Sequence, residues 1–192
     1  MRRNNFAVEI SLIVLTLGAL AFARAQQPPQ DKSQRPSPPG TAECTIKGKK
    51  VTISYSRPSL RGRKMETLTP YGKVWRTGAN EATTLTTEAD LNIGGAKVPA
   101  GTYTLYTLPS AGTWKLIINK QTGQWGTEYH EDQDLARVDM KKTEIVVPVE
   151  QFTIALDQDS NDSCDLSLEW EKTRVSVLVK GNPQQIDDRV RR

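Results

Sequence analysis

The chain has 192 residues, a formal net charge of +4, a quarter of its residues charged and a single histidine, His130. The lone histidine argues against a His-rich zinc site and against a Ser-His-Asp triad built on any other base. No stripe of Lys and Arg interleaved with aromatics is present, so nucleic acid is not an expected partner.

In chain order, MRRNNFAVEISLIVLTLGALAFARAQQ pairs Arg2 and Arg3 with an apolar run from Ile10 to Ala23, followed by the small-x-small sequence Ala23-Arg24-Ala25. A basic start, a short apolar run and small residues form the pattern of a cleaved secretory signal. The run is short for a hydrocarbon layer of about 30 Å. The expectation is an exported protein, periplasmic or extracellular, cut after Ala25 and with no membrane span. No cysteine follows the run, so a lipid anchor is not expected. Losing residues 1–25 removes three arginines and Glu9, leaving a charge of +2.

Residues 26–41, QQPPQDKSQRPSPPGT, hold almost nothing apolar and read as a disordered Pro/Gln-rich linker. Residues 42–180 are then a single domain with a real core, and residues 181–192, polar again, read as a flexible tail.

Within the domain the apolar period is two. In VTISYS, Val51, Ile53 and Tyr55 alternate with Thr52, Ser54 and Ser56, the pattern of a half-buried strand. Further strands are expected at 82–88, 102–108, 113–119, 135–141, 151–157, 164–170 and 174–180, with PSAG as a hairpin turn and NIGGAKV and VPAGT as glycine-bearing turns. This many short alternating strands predict an all-β fold, a single antiparallel β-sandwich with long loops. Its expected core is Val51, Ile53, Leu105, Trp114, Leu116, Ile118, Phe152, Ile154, Leu166, Leu168, Val175 and Val177. Cys44 and Cys164 are an even count for an oxidising compartment and are consistent with one disulfide joining the first strand to the C-terminal hairpin. Two separate small core residues are the alternative that spacing leaves open.

The stretch YGKVWRTGANEAT, residues 71–83, falls in a long loop or short edge segment between the strand ending near Ser56 and the one starting near Ala82. Loops of this length in compact domains often carry function. Tyr71 and Trp75 offer flat faces to a ring, Lys73 and Arg76 bind carboxylate or phosphate, and Asn80 and Glu81 supply matched donors and acceptors. The bland reading is that Trp75 plugs one end of the sandwich, Arg76 pairs with Glu81, and Asn80 occupies the turn. A second loop, NKQTGQWGTEYHEDQD at 119–134, sets Trp125 between two glycines. If it folds over the first loop, Trp75 and Trp125 flank a shallow groove containing Arg76 and Asn80. The alternative is an aromatic latch over an open sheet edge.

No metal site is expected. Glu128, His130 and Asp132 lack a specific ligand spacing. The segment DQDSNDSCD begins like a calcium loop at Asp157, Asp159 and Asn161, but Asp162 stands where the glycine belongs and Leu168 where the bidentate glutamate belongs. No cofactor motif is present, and no nucleophile with its base. Catalysis would have to rest on a carboxylate pair such as Glu81 with Glu128 or Asp134.

The strings SRPSLRGRK, PYGKVWRTGANEAT, PAGTYTLYTLP, WKLIINK, QWG and LEWEKTRVSV together resemble the family of secreted bacterial proteins known as domain of unknown function 2911, over about Cys44 to Val179. The resemblance implies an exported β-sandwich and brings no catalytic residues with it. Functionally, the residues point to a non-enzymatic module binding a saccharide, a cell-envelope glycan or another small polar ligand through Tyr71, Lys73, Trp75, Arg76, Asn80, Glu81 and Trp125. The rivals are a carboxylate-pair hydrolase and a structural or assembly protein of the envelope.

Overall fold

The computed structural model describes residues 31–182. The expected signal segment, residues 26–30 of the linker and residues 183–192 of the tail lie outside the described residues. No helix among the described residues is long and apolar enough to cross a membrane.

The regular structure of the described chain is almost all strand: β1 (Pro39–Ile46), β2 (Lys49–Ser56), β3 (Thr84–Thr87), β4 (Leu91–Ile93), β5 (Ala96–Val98), β6 (Gly101–Leu108), β7 (Trp114–Asn119), β8 (Asp134–Ser160) and β9 (Ser163–Gly181). One helical turn, Met65–Leu68, interrupts the long connection from β2 to β3. All strand pairings are antiparallel, and the strands form one sheet in the order β1-β2-β3-β6-β7-β8-β9-β4-β5.

Two layers arise from this one sheet because β8 belongs to both. Its first residues, Asp134 to Met140, pair with β7, while Lys141 to Ser160 pair with β9. The segments expected as separate strands at 135–141 and 151–157 are therefore two parts of β8, and those at 164–170 and 174–180 are two parts of β9. A bulge at 145–148 breaks the β8 register, and Glu171 opposite it has a φ of 52°. These irregularities let a long ribbon bend, since a bulge adds local twist.

The far edge of the sheet returns to the same ribbon. The Gln158 side chain exchanges hydrogen bonds with the backbone of Thr45, the Lys47 amide donates to the Asn161 carbonyl, and Cys44 is bonded to Cys164. The disulfide therefore joins β1 to the β8–β9 hairpin. After β2, the Phe152 amide donates to Pro58 and the Leu60 amide to Glu150, so the chain seals that side of the sandwich.

All twelve expected core residues are buried and belong to one apolar cluster. Strands β6 and β7 are buried on both faces, which simple alternation does not foresee. The outer face is covered by the two long loops, and Tyr106, Ile117, Ala79 and Ala82 are buried there. The segment NIGGAKV is more than a turn: it is the β4–β5 hairpin at the end of the sheet. Gly94, at φ 54°, lies so close to β9 that a Cβ would stand 2.9 Å from Val177 Cγ2.

The described part of the expected linker, residues 31–41, contains regular structure. Residues Lys32–Gln34 form a turn of 3-10 helix capped by the Asp31 side chain, and β1 already begins at Pro39. Composition alone misses this because the stabilising partners, Asn80 and Glu81, are more than forty positions away.

Candidate functional site

The loop from Tyr71 to Thr83 is held by pairing that completes β6. Because β3 spans only four residues, β6 beyond Thr104 has an open edge. The Leu105 amide donates to Thr83, and Trp75 exchanges backbone hydrogen bonds with Thr107 at 2.8 and 2.9 Å. Between them Thr77 and Asn80 adopt positive φ, 52° and 59°, which asparagine tolerates and a β-branched residue rarely does. Thr77 is fully buried; its hydroxyl lies 3.2 Å from that of Thr107, and its carbonyl accepts from Thr83.

The second loop folds over the first, as one of the two sequence readings requires. Glu81 bridges Trp125, the Ala82 amide donates to Gln124, and the Gly126 amide donates to Asn80. Where the loops meet the end of the sandwich, a groove of about 310 Å³ opens, lined by Leu68, Val74, Trp75, Arg76, Tyr106, Gly126, Thr127 and Tyr129.

The structure divides the sequence-predicted cluster. Trp75 and Arg76 line the groove. Trp75 also fulfils the bland expectation: its indole stacks on Trp170 at 5.6 Å and meets Phe152 edge-on at 4.9 Å, closing the core. Trp125 is 45% exposed but is not in the groove wall, so the two indoles do not flank one site. Tyr71 lies apart, its hydroxyl donating to Glu66 and its ring 5.6 Å from the Lys142 ammonium. Lys73 is exposed outside the wall.

Asn80 and Glu81 hold the N-terminal segment. The Asn80 amide donates to the Ser37 carbonyl. Glu81 receives Lys32 at 2.9 Å and Arg35 on both carboxylate oxygens at 2.9 and 3.0 Å. Hydrogen bonding from Lys32, aided by backbone and Arg35 donors, lowers its carboxyl to about 2. The expected alternative partner of Glu81, Arg76, is not bound to it.

Seven arginines fall within the described residues. Arg35, Arg57, Arg61, Arg63, Arg137 and Arg174 each donate to a carboxylate, hydroxyl or carbonyl. The Arg76 guanidinium has no hydrogen-bond or ion-pair partner among the described residues. Its stem is confined by Gly126, where an added Cβ would stand 2.9 Å from Arg76 Cδ and 2.9 Å from the Asn80 carbonyl oxygen. The glycine flanking Trp125 thus allows the loop backbone to lie directly on the arginine.

Two groove residues, Tyr106 and Tyr129, were not singled out from sequence. Their rings meet edge-on at 4.9 Å. The Tyr106 hydroxyl donates to the Glu128 carbonyl and receives Gln124. The Tyr129 hydroxyl donates to Asp134 and receives Arg137; burial first, then that bond to Asp134, pushes it up to about 12. Tyr129 therefore stays protonated throughout the neutral range. Tyr106 falls on the face of β6 opposite Leu105, and no local signal in the sequence announces the loop above it.

Two of the three named carboxylates, Glu81 and Asp134, are engaged within the fold. Glu81 is held by two cations, and Asp134 receives Asn119, Tyr129 and Arg137. Among the described residues no group of three His, Cys, Asp or Glu side chains is placed to hold a metal. The segment at 157–165 closes the β8–β9 hairpin, where Asp159 accepts from the Ser163 hydroxyl.

Compared with known proteins, residues 37–179 match the family model described as Protein of unknown function (DUF2911). The chain belongs to that family. No curated protein and no solved structure matches it. The matched region begins before β1 and ends within β9, so the family pattern includes both groove-forming loops.

Proposed function

We propose that this member of the family is an exported, non-enzymatic binding module whose groove takes a saccharide or cell-envelope glycan. The observation that carries the reading is the Arg76 guanidinium, without a partner among the described residues, lining the groove with the half-buried rings of Trp75 and Tyr129. A concave site with apolar walls and a few convergent polar groups is the usual form of a small-ligand pocket, and aromatic walls suit the apolar faces of sugar rings. The ligand surface in this reading is Trp75, Arg76, Thr127 and Tyr129, with the buried Tyr106 ring packed behind Tyr129. Export is supported by the signal-like residues 1–25 and by the disulfide, a bond favoured outside reducing compartments.

The hydrolase reading has less support, since Glu81 and Asp134 are each engaged by cations. An assembly role draws on one feature, the bulge that leaves Val146 94% and Val147 76% exposed. Sedimentation of the parent protein and of Val146→Ser/Val147→Ser tests it. The binding reading is tested on a glycan array with the parent protein, followed by melts with each hit. Absence of any glycan that binds and raises the melting temperature removes it.

A further inference from the structure

Resting on that binding reading, we infer that the groove selects an acidic saccharide, one whose ring lies against the aromatic wall and whose carboxylate pairs with Arg76. Arg76 is the one charged residue among those lining the groove. The hydroxyls of Tyr106 and Tyr129 are already committed within the protein, and Arg137 is held by Asp134 and Glu131. Arg76 is thus the one charge in the groove lining, and it has no ion-pair partner among the described residues.

That charge is positioned before any ligand arrives. Gly126 confines the Arg76 stem, and the backbone of Trp75 beside it is fixed to β6. A preorganised guanidinium loses less freedom on binding than a free one.

The single charge also favours a carboxylate over a phosphate. A planar guanidinium meets a carboxylate with two parallel hydrogen bonds and balances its one negative charge. A phosphate monoester carries about −1.5 to −2 at neutral pH and would remain under-compensated here.

The test uses the mature protein, its Arg76→Gln and Arg76→Lys variants, and three probes: an oligogalacturonate, the same oligosaccharide with its carboxyls reduced to alcohols, and inorganic phosphate. Calorimetry gives affinities, and Trp and Tyr side-chain NMR shifts locate the binding. The oligogalacturonate should bind the parent, perturb Trp75, Tyr106 and Tyr129, and lose at least tenfold in affinity on carboxyl reduction or in Arg76→Gln, with Arg76→Lys intermediate. Melting temperatures of both variants should match the parent, because the Arg76 guanidinium has no hydrogen-bond or ion-pair partner among the described residues to lose.

Equal binding of the acidic and reduced sugars, or unchanged binding by Arg76→Gln, overturns the inference and leaves the saccharide reading standing. Tighter binding of phosphate than of the oligogalacturonate overturns the carboxylate assignment. Failure of both sugars to bind overturns the inference, whereas the saccharide reading beneath it falls only if the glycan array also yields no binder.

Discussion

Arg35 donates from one guanidinium nitrogen to both carboxylate oxygens of Glu81, tying the segment before β1 to the loop that carries the groove. Lys32 adds a second cation at 2.9 Å. A residue that reads in sequence as a ligand contact is thereby a clasp for the protein's own chain.

The clasp should open in acid. Glu81 has its carboxyl lowered from an ordinary 4.5 to about 2, so its contribution is complete above about pH 4.5 and is lost as pH falls through about 2. The carboxylate is 41% exposed, and solvent screening limits each pair to about 1 kcal/mol or less. The expected result is local: backbone amide signals of residues 32–37 shift between pH 4.5 and 2 while those of β6 and β7 stay fixed. Glu81→Gln should leave those signals in the acid-like position at neutral pH.

Removing the Cys44–Cys164 bond should destabilise the whole domain. It spans 120 residues, and on the chain-entropy model a loop of that order is worth about 4 to 5 kcal/mol. Denaturant melts of the parent and of Cys44→Ala/Cys164→Ala measure the difference. A loss under about 1 kcal/mol would show that the other contacts between β1 and the hairpin already constrain the unfolded chain.

Trp75 and Arg76, adjacent in sequence, should separate cleanly by experiment. Trp75→Ala removes an indole packed on Trp170 and Phe152 and should cost about 3 to 5 kcal/mol. Arg76→Gln removes a guanidinium with no hydrogen-bond or ion-pair partner among the described residues and should change stability by about 0.5 kcal/mol or less. Thermal melts of the two variants decide the matter; a large loss in Arg76→Gln would mean that the guanidinium stabilises the fold itself.

Ile118→Ala tests the central strand. Ile118 is fully buried, pairs with Leu105 and Ala136, and precedes the irregularity at Asn119. The expected cost is about 2 to 5 kcal/mol, depending on how far the site collapses. Urea unfolding should show an unchanged slope, since the surface exposed on unfolding is nearly the same.

Much of the architecture was legible residue by residue. Period-two alternation is a local property, because successive side chains on a strand face opposite ways. It located β2, β3, β6, β7 and the parts of β8 and β9, but not the β4–β5 hairpin or the start of β1, and it named twelve core residues that are all buried. The loop at 71–83 was legible as well, through its glycines and its mixture of aromatic and charged residues.

What tertiary structure alone decided was which of those residues meet. Continuity of β8 and β9 across their bulges depends on strand partners, and no periodicity reports whether a bulge interrupts a strand or ends it. Docking of residues 32–37 depends on Glu81 and Asn80, more than forty positions away. Tyr106 and Tyr129 enter the groove because one loop crosses the outer face of β6. The same crossing places Gly126 on Arg76. Composition along the chain determines which side chains can bury themselves or carry charge, whereas a site depends on distances between separate segments, and only the packed sandwich sets those.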